Sequence, residues 1–86
     1  MSYLEKNSDE LRYEAAWDGF TKKDYSKMYL YLVAKGGTML AEHFRGESKK
    51  YKRCFCARVV YYFHPNGEYR KKAEKYYKKH REEFDL

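Results

Sequence analysis

"YKRCFCARVVYYFH", Tyr51 to His64, is the stretch whose reading decides the fold. Phe55, Val59, Val60, Tyr61, Tyr62 and Phe63 are β-branched or aromatic, residue types that suit a pleated surface. The stretch therefore reads as one long strand over residues 51–64. Strand alternation sends Cys54, Cys56 and His64 to one face, with His64 roughly 26 Å past Cys56 along an extended chain. "HPNG" ends the strand. Pro65 has no N–H for a ladder, and Asn66-Gly67 is turn chemistry that also suits a helix cap.

Downstream, "NGEYRKKAEKYYKKHREE" (Asn66–Glu83) holds seven Lys or Arg in eighteen positions. Tyr69, Ala73, Tyr76, Tyr77 and Phe84, with His80 among them, recur at helical spacing and make one stripe. The pattern predicts a helix from Glu68 to Phe84, roughly 25 Å long at 1.5 Å per residue. It docks through tyrosines and displays lysines.

Upstream, "SDELRYEAAW" opens a helix, with Ser8 as N-cap and Asp9 and Glu10 where the helix dipole favours negative charge. "DGF" at 18–20 closes it. The segment "KMYLYLVAKGGTMLAEHF" (27–44) satisfies two readings. A helix groups Tyr25, Met28, Tyr29, Leu32 and Val33. A strand sets Met28, Leu30, Leu32 and Ala34 against Tyr29, Tyr31 and Val33. Gly36-Gly37 serves the first as a C-cap and the second as a two-residue hairpin turn.

The assembled expectation is a single α+β domain over residues 1–86, in the order α-β-β-β-α, with a three-stranded antiparallel sheet packed against helices. The alternative is all-α, a pair of helical hairpins. "KKDYSKMYLYL" and "NGEYRKKAEKYY" align at an offset of 44, pairing Asp24 with Glu68, Tyr25 with Tyr69, Lys27 with Lys71 and Leu32 with Tyr76. A duplicated hairpin of the tetratricopeptide type has this look.

Charge is unevenly placed. The total is +6, but residues 1–44 hold six Lys/Arg against seven acids, and residues 45–86 hold thirteen against six. A basic half points to a polyanionic partner. Two clusters carry it: Lys49, Lys50, Lys52 and Arg53 before the long strand, and Arg70, Lys71, Lys72, Lys75, Lys78 and Lys79 on the last helix. Glu74 is four residues from both Arg70 and Lys78 and can pair with them, but one acid does not balance six cations. Lysines are point charges suited to phosphates rather than base edges. Tyr51, Tyr61, Tyr62 and Tyr69, interleaved with them, are candidates for stacking on unpaired bases or, equally, core filler.

The element order, with a turn, a Gly and "KKAEK" opening the last helix, resembles the double-stranded-RNA-binding domain. That resemblance implies that Lys71 and Lys72 grip phosphates. The preceding "HPNGEYR" differs from the family's Gly-rich, Ser-bearing approach. In size, charge and Lys/Tyr-rich style the chain also resembles the small basic counter-defence proteins of T-even-type phages. Among those are RNA-associated antitoxins that block a host endoribonuclease. This second resemblance implies a partner pair of RNA and a host toxin.

Cys54 and Cys56 are too close in sequence for an unstrained disulfide within one element, and they lack the paired C-x-x-C knuckles of a zinc ribbon. They read as core thiols, with no metal and no cofactor. "MSYLEKNSDELR" lacks the apolar core of a signal peptide, and no apolar run reaches membrane-spanning length. The expectation is a reduced, cytoplasmic protein, in the host cytoplasm if phage-encoded, with no membrane partner. His43, His64 and His80, with Glu42 and Glu68, contain the residue types of an acid–base pair, but nothing in the sequence brings two together.

The functional expectation is thus a non-enzymatic, largely sequence-independent RNA or nucleic-acid binder, of antitoxin type. The alternatives are an inhibitor that docks its basic face on an acidic host protein and a small ribonuclease. A homodimer is compatible with either of the first two.

Overall fold

A computed structural model describes residues 7–86. Residues 1–6, where the leader reading begins, lie outside the described residues. Five helices follow one another: α1 (Ser8–Lys22), α2 (Ser26–Ala34), α3 (Thr38–Gly46), α4 (Lys49–Phe63) and α5 (Gly67–Phe84). No strand occurs among the described residues. The fold is all-α, and the α-β-β-β-α expectation with its three-stranded sheet is overturned.

The decisive stretch, 51–64, is α4 and its cap. Ser48 is the N-cap, and its Oγ accepts from Tyr51 N–H at 3.1 Å. Burial falls on Tyr51, Cys54, Ala57 and Val60, a helical period, with Cys56 as well. Helix α4 is the central element, packed between α1 and α5. A helix buried on more than one side carries apolar residues around most of its circumference, so its amphipathic signal fades. What remains visible is the run Val59 to Phe63, whose strand preference the packing overrides.

Small residues make that packing close. Ala15, Ala16 and Gly19 of α1 are buried, as are Ala57 of α4 and Ala73 of α5. A Cβ on Gly19 falls inside the van der Waals envelope of Cys56 Sγ and 3.1 Å from Cys56 Cβ. "DGF" therefore does not close α1. Asp18, Gly19 and Phe20 are its buried face, and the helix runs on to Lys22. The N-cap is Asn7, one residue before Ser8, with its Oδ1 accepting from Glu10 N–H at 2.8 Å.

The ambiguous middle is a helical hairpin. Met28 and Leu32 of α2 and Ala41 and Phe44 of α3 are buried. Gly36 takes φ 80°, and the N–H groups of Gly36 and Gly37 close on Val33 O and Leu32 O at 3.0 Å. This is the C-cap reading of Gly36-Gly37. Lys27 Nζ ties α2 to α1 through Asp18 Oδ2 at 2.6 Å and Glu14 Oε1 at 3.1 Å, and these bonds hold its ammonium well above the usual lysine range. The offset-44 duplication does not hold in space. Met28 is buried, whereas Lys72, its counterpart, is exposed.

Helix α5 begins at Gly67, capped by Asn66, whose Oδ1 accepts from Glu68 N–H and Tyr69 N–H. Its stripe docks as the sequence pattern implies, with Ala73 and Tyr77 buried, though against α4 rather than a sheet. Tyr69 lies flat on Trp17, with ring centroids 3.7 Å apart, which fixes the start of α5 on α1. No helix among the described residues is long and apolar enough to cross a membrane.

Gly19→Ala is expected to destabilise the protein by roughly 1–3 kcal/mol through overpacking, although Ala exceeds Gly in helix propensity by about 1 kcal/mol. Gly19→Ala with Cys56→Ala should recover most of the loss, because the second change removes the clashing sulfur. Urea unfolding of the two single variants and the double variant measures this coupling. Additive losses would show that the α1–α4 seam is not set by this contact.

Candidate nucleic-acid interface

The two basic clusters of the sequence do not form one continuous row. Lys49, Lys50 and Arg53 sit on the first turns of α4, between the end of α1 and the side of α5. There they join Lys23, which ends α1 in a left-handed conformation at φ 58°. With Tyr25 and Tyr76 these four cations line a cleft of about 240 Å³. Among the described residues, no carboxylate lines it. Glu83 reaches Lys50 from outside, with its Oε2 3.1 Å from Nζ, and this pairing holds the Glu83 carboxyl below its usual range.

Arg53 has a structural share in this arrangement. Its Nε donates to Phe20 O at 2.9 Å, capping a free carbonyl near the end of α1. Its guanidinium carbon lies 4.5 Å from the Tyr76 ring centroid and 5.1 Å from that of Phe20. The residue thus holds α1, α4 and α5 together while part of its guanidinium faces the cleft.

Lys52, one position earlier on α4, turns to a different concavity. Its Nζ lies 5.8 Å from the Tyr25 ring centroid. It lines a second cleft of about 250 Å³ with Tyr25, Ser26, Tyr29, Phe44 and Arg45. Tyr25 is common to both clefts.

The lysines of α5 divide between its two sides. Lys72, Lys75 and Lys79 are exposed, and helical spacing places them on the side of Tyr76, next to the Lys49–Arg53 cleft. Arg70 and Lys71 lie on the other side, in a concavity with Tyr61 and Glu74. Lys78 is there too, paired with Glu74 at 3.4 Å and 5.4 Å from the Tyr61 centroid. Arg70 does not pair with Glu74; its Nη1 donates to His64 O at 2.6 Å and closes the α4–α5 turn.

The sequence reading missed Lys23, Tyr25 and Tyr76 as neighbours of the Lys49–Arg53 cluster. Lys23 and Tyr25 fall in the half of the chain whose charge balances, so no local signal marked them. The tyrosines singled out for stacking are mostly occupied. Tyr51 is buried, Tyr69 lies on Trp17, and Tyr61 packs on Tyr62 and Tyr77.

The thiols diverge rather than share a face, because two helical positions are about 200° apart. Cys56 meets Gly19 on α1, whereas Cys54 feels Glu83 of α5. Both are fully buried, and burial pushes Cys54 up to about 11 and Cys56 higher still. Among the described residues, no three His, Cys, Asp or Glu side chains are grouped to hold a metal ion.

The histidines are also dispersed. His64 stacks among Tyr13, Trp17 and Tyr69, and its burial lowers its pKa. His80 lies against Tyr76. His43 stands in a cleft with Glu47, Glu82, Glu83 and Asp85, whose charge repels a phosphate.

The class that these features define is a small all-α domain, with five helices among its described residues and a basic, tyrosine-walled cleft. Comparison with protein-family models, with curated proteins and with solved structures yields no match.

A thiol reagent at pH 8 should leave both cysteines unlabelled in the native protein and label both in denaturant. Folded Cys54 titrates near 11 and an unfolded thiol near 8.5, so the native state keeps a proton that the unfolded state releases. The stabilisation is therefore complete below about 8.5 and falls away as pH rises towards 11. Urea midpoints from pH 8 to 11 measure the decline, and a Cys54→Ala, Cys56→Ala double variant should show a shallower one. Fast native labelling would place the thiols outside the core.

Proposed function

We propose that this domain is a non-enzymatic nucleic-acid-binding protein that holds the phosphate backbone of RNA, largely without regard to sequence, in the cleft of Lys23, Lys49, Lys50 and Arg53. The observation that carries this reading is the convergence of four cations on one concavity that, among the described residues, no carboxylate lines. Like charges brought together repel, and a domain selected for solubility alone mixes signs across its surface. An anion that enters the cleft relieves that repulsion. Lys72, Lys75 and Lys79 extend the positive surface along α5, with no carboxylate partner among the described residues. A cytoplasmic location is part of the same proposal.

A second reading, an inhibitor that docks on an acidic host protein such as a ribonuclease, is favoured by a separate observation. Leu30, Val33, Met39 and Leu40 are all exposed around the α2–α3 turn, with Met39 88 % exposed. Grouped exposed apolar side chains are a feature of protein-docking surfaces. In that reading the basic cleft supplies charge complementarity and the α2–α3 turn supplies contact area.

Fluorescence anisotropy with a labelled RNA oligonucleotide at two salt concentrations tests the first reading. Three to four phosphate contacts give a log–log salt slope of about −2 to −3 on a single strand. Lys23→Gln, Lys49→Gln and Lys50→Gln together should weaken binding at least tenfold. Lys71→Gln with Lys78→Gln, on the far side of α5, should change it much less. Thermal stability should hold or rise in the triple variant. RNA binding that is absent, or indifferent to salt, would reject the phosphate reading in favour of the protein-docking one.

A further inference from the structure

The second cleft differs in chemistry from the first, although one tyrosine ring separates them. Its walls are the rings of Tyr25, Tyr29 and Phe44, and polar groups enter from Ser26, Arg45 and Lys52. One of its two cations is already paired. Arg45 Nη2 lies 2.6 Å from Glu42 Oε2, and Tyr29 OH donates to Glu42 Oε1 at 2.8 Å. Glu42 thus neutralises Arg45 and fixes the Tyr29 ring in place. Lys52 is left as the one cation of the cleft without a carboxylate partner among the described residues.

A second phosphate gains little in such a place. A flat aromatic group gains more, because rings line the cleft and hydrogen-bonding groups stand at its edge. The volume of about 250 Å³ accommodates one base with an edge left in solvent. Tyr25 lines both this cleft and the phosphate cleft, so the two are neighbours on the surface.

We propose that the cleft of Tyr25, Tyr29 and Phe44 receives an unpaired nucleobase, so that the ligand of this domain is a single strand rather than a duplex. The proposal rests on the reading of the adjacent cleft as a phosphate site. A paired base is stacked on both faces inside its helix and cannot lie against Tyr25, whereas a single strand can present base and phosphate to the two clefts at once. Lys52 then faces the base or its sugar-phosphate rather than the bulk of the backbone.

The test uses a ten-nucleotide single-stranded RNA carrying one 2-aminopurine, the same strand annealed to its complement, and a DNA strand of the same sequence. The expected result is quenching of 2-aminopurine on saturation, and affinity for the single strand roughly tenfold above that for the duplex. RNA and DNA single strands should both be quenched. Tyr25→Leu and Tyr29→Leu should each abolish the quenching and most of the single-strand preference while the salt slope stays unchanged. Tyr25→Phe should keep both. Tyr29 is half-buried, so Tyr29→Leu decides the matter if Tyr25→Leu fails to fold by circular dichroism. Unquenched 2-aminopurine, or equal affinity for strand and duplex, with salt-dependent binding intact would overturn the base subsite and leave the phosphate reading standing. Failure of every oligonucleotide to bind in a salt-dependent way would remove both.

Discussion

The approach of Gly19 to Cys56 is the contact on which the rest of the molecule depends. A side chain on Gly19 has no room beside the Cys56 sulfur, so α1 and α4 pack at a distance that only a glycine permits. Their closeness brings Phe20 O within 2.9 Å of Arg53 Nε. That bond anchors the first turns of α4 to the last turn of α1. Ala73 then lets α5 close on the other flank of α4. The end of α1, the start of α4 and the middle of α5 meet in one place, and the basic cleft is the space they leave.

The electrostatics follow from this packing. Carboxylates that have structural tasks are taken up elsewhere. Asp18 and Glu14 hold Lys27 between α1 and α2, Glu42 holds Arg45 and Tyr29, and Glu74 holds Lys78. Each pair removes a cation from the field at the site of the pair. At the rim of the cleft of Lys23, Lys49, Lys50 and Arg53, Glu83 pairs with Lys50. Surface ion pairs contribute little to stability, but their distribution decides where uncompensated charge remains. The face of α5 towards Tyr76 is left positive, and the face towards Tyr61 is partly neutralised.

Much of the local structure was legible in the sequence. The tyrosine stripe of α5, with Ala73 at its centre, is a periodicity that survives because α5 keeps one face in solvent. The cap at Asn66 is a chemical requirement of a helix end and can be read without knowledge of a partner, whereas Gly36-Gly37 suits a helix cap and a hairpin turn alike. The acidic first turn of α1, like the Asn66 cap, can be read without a partner. The error at residues 51–64 has a physical origin. Helix α4 is packed on two sides, against α1 and α5, so its apolar residues do not fall on a single stripe, and its β-branched and aromatic residues speak for a strand. The close of α1 was misplaced for a related reason. Asp18-Gly19-Phe20 looks like a turn until it is seen that Gly19 is small for the sake of Cys56 and that Asp18 is buried for the sake of Lys27.

By itself, the sequence determined the basic second half, the abundance of tyrosine as both core and surface material, and the helix at the C-terminal end with the turn chemistry at Asn66 that caps it. These are properties of composition and of neighbours a few residues apart. Only the tertiary structure decided that α4 is a helix, because its burial on two sides replaces the preference of its residues with the demands of close packing. Only the tertiary structure brought Lys23 and Tyr25 to Lys49, Lys50 and Arg53, and sent Lys52 to another cleft. Charge can be counted along a chain, but a binding surface is a matter of which charges share a face, and that is settled by how near the helices can come.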